Sequence, residues 1–362
     1  MSVETKMGDY SWFAKKLLKW NLDKNDRQMP WKGEKDPYKI WLSEIILQQT
    51  RVDQGLNYYK NFIAAFPNVH LLANAADSKV FKLWEGLGYY TRCKNLLLTA
   101  RHISKNKNGE FPNTYEGIIQ LKGVGSYTAA AISSFAFNLA HAVVDGNVFR
   151  VISRVFGIST PVDTTEGKKE FTELTGKLLD KKQPGLYNQA LMDFGATICK
   201  PVTPVCYECV FKKECVAFNQ GRISELPVKQ NKITIRKRWF NYVVLEYKNQ
   251  FLVRERIEKD IWQHLNEFIL VETAKASKPK TIIDAAIEQK LLNPELTILG
   301  KPFQTKQLLS HQLIHGQFIH IKTQKKPTIP NKYILVSKES LNQYPFPKLI
   351  NDFIKERLQE KK

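Results

Sequence analysis

Acidic residues are outnumbered in this chain, cysteines are few, and no long apolar run interrupts it. No hydrophobic segment approaches the roughly 20 residues that a bilayer crossing requires, so no membrane span is expected. The opening stretch MSVETKMGDYSW lacks the apolar core of a signal peptide, and the expected location is the cytoplasm or nucleoid. Five cysteines in 362 residues do not suggest a disulfide framework at this length. No internal repeat and no low-complexity tract is evident.

What is present is positive charge. The chain carries 55 Lys and Arg against 35 Asp and Glu, a net charge of +20. Residues 1–220 hold 29 basic and 21 acidic side chains, and residues 221–362 hold 26 and 14. The excess is therefore spread over both halves and is not confined to a tail. Solubility alone is the bland explanation. A basic surface of this extent points instead to a polyanion, nucleic acid foremost.

The texture changes once along the chain. From about Tyr10 to Phe218, helical apolar spacing recurs in YSWFAKKLLKW, YKIWLSEIILQQT, VFKLWEGLGYY and TAAAISSFAFNLA, separated by Gly, Pro and Asn. An all-α domain is expected over residues 1–221, followed by a polar, basic linker over 222–236. Residues 237–362 read as α+β. There WFNYVVLEY and FLVRE form a hairpin around KNQ, TIIDAAIEQKLL is a helix opened by a Thr281–Asp284 capping box, and QFIHIKT and KYILVSK are strands. PFPKLINDFIKERL is a closing helix.

Three local patterns carry chemistry. In LKGVGSYTAA, Gly123 and Gly125 form a tight turn into an apolar helix, which exposes backbone N–H groups to an anion such as a phosphate. In CKPVTPVCYECVFKKEC, Cys199, Cys206, Cys209 and Cys215 are spaced C-x6-C-x2-C-x5-C. Structural zinc sites usually pair two C-x2-C knuckles. With a single knuckle and four thiolates in one loop, the spacing favours a [4Fe–4S] cluster, with zinc the competing reading. Cys93 stands apart as an ordinary thiol. Two acidic residues stand out as well. Asp145 precedes a helix that runs through Arg150, where an N-cap is the bland reading. Glu44 lies among apolar neighbours on a helix, which would raise its pKa; read alone, it is a solvated glutamate at a helix edge.

The Gly-x-Gly hairpin followed by this cysteine spacing resembles the helix-hairpin-helix DNA glycosylases that carry an iron–sulfur loop, over about residues 10–220. The resemblance implies that the hairpin amides of Gly123 and Gly125 grip one DNA phosphate, with Lys200, Lys212 and Lys213 adding contacts beside the cluster loop (199–215). It places a catalytic aspartate at Asp145. The stretch WLSEIILQQT resembles the adenine-specific, MutY-type branch, in which the glutamate at Glu44 protonates adenine. Tyr127 stands where the endonuclease III branch has a nucleophilic lysine. A tyrosine cannot form a Schiff base, so the resemblance implies base removal without strand cleavage.

By the same resemblance, Gln189 contacts the flipped adenine, and Arg27 and Trp31 line its pocket, with Met29 where the family more often has leucine. Tyr89 is the wedge in the base stack, with Gln49 helping to fill the vacated space, and Gln48 lies one turn beyond Glu44. Residues 237–362 more faintly resemble the Nudix-like domain of MutY proteins, without a glutamate-rich box for pyrophosphatase chemistry. Leu309-Ser310-His311 replaces a Phe-Ser-His loop that touches 8-oxoguanine. Leucine weakens the stacking contact, while Ser310 and His311 keep their hydrogen-bonding groups. The resemblance implies duplex DNA with adenine opposite 8-oxoguanine or guanine as the partner, and monomeric action. The competing readings are an endonuclease III-like glycosylase with lyase activity and a non-enzymatic DNA-binding module.

Overall fold

A computed structural model describes residues 10–231 and 234–359. The chain divides into two compact units. One comprises Met1–Asn74 with Asn95–Lys232, and the other Ala75–Lys94 with Ile233–Lys362.

The first twelve helices follow one another without a strand among the described residues: α1 (Ser11–Lys24), α2 (Pro37–Leu47), α3 (Val52–Ala65), α4 (Val69–Ala73), α5 (Asp77–Trp84), α6 (Tyr90–Asn106), α7 (Tyr115–Ile119), α8 (Ser126–Phe137), α9 (Gly146–Phe156), α10 (Thr165–Leu178), α11 (Pro184–Thr197) and α12 (Val216–Asn219). The core of the first unit gathers Phe13, Leu17 and Trp20 of α1, Val148, Val151 and Ile152 of α9, and Tyr187 and Phe194 of α11. Phe211, from the cysteine-rich loop, stacks on Phe13 at 4.4 Å, so that loop is anchored in the core. Helix α2 is apolar nearly all round, and everything from Ile40 to Ile46 is buried, as a fully enclosed helix requires. Glu44 is carried inside with it.

Helices α7 and α8 form the hairpin. Thr114 caps α7 by accepting from the Gly117 amide at 3.2 Å. The Val124 amide donates to the Leu121 carbonyl at 3.0 Å, closing the turn before α8. Gly123 holds φ +82° within it.

The second unit is built on a mixed eight-stranded sheet: β1 (Arg236–Tyr247), β2 (Gln250–Glu255), β3 (Asn266–Glu267), β4 (Ile269–Thr273), β5 (Thr297–Ile298), β6 (Phe303–Leu308), β7 (Gln312–Lys322) and β8 (Tyr333–Ser337). Strands β1 and β7 pair in parallel from Arg236↔Gln312 to Glu246↔Lys322. The expected β1–β2 hairpin is present, and its turn is the two residues Lys248 and Asn249, both at positive φ, the geometry of a type I′ connection. Helix α13 (Pro279–Glu288) packs Ile282, Ile283 and Ala286 onto Val243 and Ile319. Phe353 of α14 (Lys348–Phe353) stacks on Phe318 at 4.5 Å.

Two expectations need correction. Helix α13 does not begin at a Thr281–Asp284 box: it starts at Pro279, with Lys278 as N-cap and no side-chain cap. A proline at the first helical position supplies the correct φ and needs no hydrogen bond there. VFKLWEGLGYY is not one helix. Helix α5 stops at Trp84, because Gly86 and Gly88 adopt φ +91° and +80°, and α6 restarts at Tyr90.

Candidate active site and nucleic-acid interface

The first unit brings α2, α8, α9 and α11 together around one group of side chains. Glu44 is 6% exposed. Burial drives its pKa up to about 7, opposed by a hydrogen bond with Tyr127 and reinforced by the charge of Asp145. The Tyr127 phenol is held well above its ordinary value by burial and by the two carboxylates, so it stays protonated. Its hydroxyl also lies 3.7 Å from Met192 Sδ on α11. Gln48 Nε2 donates to Thr128 Oγ1 at 3.1 Å, tying α2 to α8. Gln49, next along, is exposed at φ +56°.

Asp145 is the N-cap of α9. Its Oδ1 accepts from the amides of Asn147 and Val148 at 2.9 and 2.8 Å, and Oδ2 accepts from Asn147 Nδ2 at 2.7 Å. Burial raises its pKa, and those donors oppose the rise. They aim a carboxylate at the helix N-terminus, where the dipole favours negative charge. The cap and a catalytic role are therefore compatible in one side chain.

Gln189 on α11 and Arg27 in the α1–α2 connection meet at Asp193, a residue that sequence reasoning missed. Asp193 is fully buried. Arg27 lies 2.8 Å from Oδ1 and Gln189 Nε2 donates to the same oxygen at 3.0 Å. Asn25 Nδ2 donates to Oδ2 at 3.0 Å, and Lys32 Nζ lies 3.1 Å from it. The available signal was its position one helical turn after Gln189, on the same face. Trp31 is buried and packs edge-on against Tyr59 at 5.3 Å.

At the hairpin, the two glycines differ. A Cβ on Gly123 would stand 2.8 Å from Asn95 Cβ, whereas one on Gly125 would meet nothing within 4 Å. Gly125 is the N-cap of α8 and offers no side-chain cap, so first-turn amides with no partner inside the helix face an open approach. That is the geometry of an anion site.

Cys199, Cys206, Cys209 and Cys215 line one small cavity, walled by Val155, Phe194, Ile198 and other apolar groups. Among the described residues, no three His, Cys, Asp or Glu are grouped so as to hold a single metal ion. Burial drives the Cys209 thiol up to about 12, so its thiolate requires a cationic partner. Two buried arginines, also missed from sequence, tie this loop to α9. Arg150 donates to the Cys199 carbonyl at 2.6 Å and to Asn147 Oδ1 at 2.9 Å. Arg154 donates to the carbonyls of Lys200 and Pro201 at 2.8 and 2.9 Å. Lys200 and Lys213 are exposed, and Lys212 sits over the Tyr207 ring at 4.6 Å.

In the second unit, Tyr89, Ser310 and His311 share the wall of a cavity of about 480 Å³ with Trp262 and His264. Tyr89 is 44% exposed and held at φ +49°. Its hydroxyl is hydrogen-bonded to that of Ser310. Leu309, Ser310 and His311 are the turn between β6 and β7, closed by the Leu309 amide donating to the Gln312 carbonyl at 2.7 Å.

Residues 42–177 match the HhH-GPD superfamily of base excision DNA repair proteins, and residues 241–356 match the NUDIX domain. The helical hairpin and the carboxyl pair of Glu44 and Asp145 thus stand on a base excision repair scaffold, joined to a Nudix-like sheet domain. A solved thermostable thymine-DNA glycosylase shares this fold over 58% of the present chain and 97% of its own, with a TM-score of 0.54 and 31% identity. The adenine DNA glycosylase of Buchnera aphidicola subsp. Acyrthosiphon pisum (strain APS) is 36% identical over 253 residues, covering 70% of this chain and 72% of that protein. The human adenine DNA glycosylase is 40% identical over 214 residues, covering 57% and 39%. The chain belongs to the adenine DNA glycosylase family.

Proposed function

We propose that this chain hydrolyses the N-glycosidic bond of adenine mispaired with 8-oxoguanine or guanine in duplex DNA, leaving the abasic strand uncut. The observation that carries this reading is the carboxyl pair formed by buried Glu44, its pKa raised to about 7, and half-buried Asp145 at a helix N-terminus. Glu44 gives its proton to the flipped adenine, and the bond between C1′ and the base breaks with its electrons leaving on the base. Asp145 stabilises the oxocarbenium-like sugar, or bonds transiently to C1′, until water supplies the new C1′–O bond. Tyr127 holds Glu44 in place. With no amine at that position, the lyase reading loses its nucleophile.

Gln189, positioned with Arg27, contacts the adenine, and Trp31 supports the pocket wall. Tyr89 enters the base stack, with Gln48 and Gln49 beside the vacated space. The hairpin amides at Gly123 and Gly125 hold a phosphate, and Ser310 and His311 touch the base opposite. Residues 1–221 form the glycosylase domain, 222–236 the linker, and 237–362 the domain that reads 8-oxoguanine. The four cysteines share one small cavity of the 199–215 loop and would supply the four thiolates of one [4Fe–4S] cluster. When bound, the cluster would fasten the 199–215 loop. The chain acts as a monomer in the cytoplasm or nucleoid.

The test is single-turnover cleavage of a duplex with adenine opposite 8-oxoguanine. Strand breaks should appear only after alkali, with no adduct trapped by borohydride. Glu44→Gln should slow base release by about 10²–10⁴-fold while mispair binding persists. Breaks without alkali would restore the lyase reading, and absence of adenine release in the unaltered protein would leave a DNA-binding module.

A further inference from the structure

Asp193 is a wholly buried carboxylate with four donors: Arg27, Lys32, Asn25 and Gln189. An ionised carboxylate only accepts, and its two oxygens offer about four lone-pair sites, so these partners saturate it. One consequence falls on Gln189. A glutamine amide has a donor end and an acceptor end, and only the NH₂ end can face an ionised carboxylate. Gln189 Nε2 does so at 3.0 Å. Gln189 itself is only partly buried, which leaves its Oε1 as the end free for a ligand.

We propose that Asp193 is a specificity-positioning residue, which fixes the Gln189 amide with Oε1 outward so that the pocket accepts a hydrogen bond from a donor on the base. Resting on the adenine reading above, this selects the exocyclic amino group of adenine and repels a base with a carbonyl at that position. The two cations from the α1–α2 connection hold the carboxylate in place, so the amide orientation is set by a network remote from the bond that breaks.

The experiment compares single-turnover release of adenine and of hypoxanthine opposite 8-oxoguanine. Asp193→Asn lets the amide turn over, and the adenine-to-hypoxanthine rate ratio should fall about ten-fold from that of the unaltered protein. The double variant Asp193→Asn with Gln189→Glu keeps the charge of the cluster and reverses the pairing. The introduced asparagine amide would then donate, and the introduced glutamate still presents an acceptor to the base. This variant should recover most of the ratio, and it provides the readout should Asp193→Asn alone fail to fold. A folded Asp193→Asn that slows both bases equally, or a folded double variant that does not recover the ratio, overturns the proposal. Absence of adenine release in the unaltered protein would instead remove the functional reading on which it rests.

Discussion

Tyr127 and Glu44 share a hydrogen bond within a pocket that buries the carboxyl and holds its pKa up to about 7. The hydrogen bond favours the ionised form, while burial and Asp145 favour the protonated one. A general acid must carry its proton, so base release should fall as pH rises through about 7 and level off below it. Tyr127→Phe removes the contact that lowers the pKa, and the alkaline limb should move to higher pH. A pH profile of single-turnover rates checks both statements. A limb that is unmoved or shifted downward in Tyr127→Phe would contradict the arrangement.

The two hairpin glycines should respond oppositely to alanine. Gly123 sits at φ +82°, and an added methyl would stand 2.8 Å from Asn95 Cβ, so Gly123→Ala should cost about 1–3 kcal/mol of stability. Gly125 has φ −97° and open space. Gly125→Ala should leave stability within about 0.5 kcal/mol yet weaken DNA binding, because the new methyl occupies the face that the phosphate approaches. Thermal melting and a DNA titration separate the two effects.

Iron and zinc give different signatures in the cysteine loop. The purified chain should show broad visible absorbance and about four irons per molecule, where zinc would be colourless. Cys209→Ala, or chelation, should abolish the absorbance and expose residues 199–215 to protease. A colourless protein holding one zinc would overturn the cluster assignment.

In the second unit, Glu267 is fully buried between Arg254 and Arg256, at 2.7 and 2.6 Å. Arg256 also donates to Asp260 at 3.0 Å and to the Ile261 carbonyl at 3.2 Å, closing the loop that carries Trp262 and His264. Glu267→Gln removes the buried negative charge that both guanidiniums face and should destabilise the protein by about 3–5 kcal/mol. Urea unfolding would read the loss, and an unchanged midpoint would show that Asp260 alone satisfies Arg256.

The sequence by itself determined the all-α to α+β transition, the hairpin and the cysteine loop, because each depends on local spacing: apolar period, a Gly-x-Gly turn, thiols within seventeen residues. It also marked Glu44 and Asp145, whose immediate neighbours already supply an apolar helix and a cap. It placed the start of α13 wrongly, because Thr281 and Asp284 look like a cap only until Pro279 is seen to start the helix two residues earlier. Tertiary structure alone decided which groups meet across long separations. Asp193 joins Asn25, Arg27 and Lys32 from more than 160 residues away. Arg150 and Arg154 fasten the cysteine loop to the helix of Asp145, and Tyr89 bonds to Ser310 across 221 positions. Helical period and turn chemistry are written in neighbouring residues, whereas a buried charge finds its partners only when packing removes water from both.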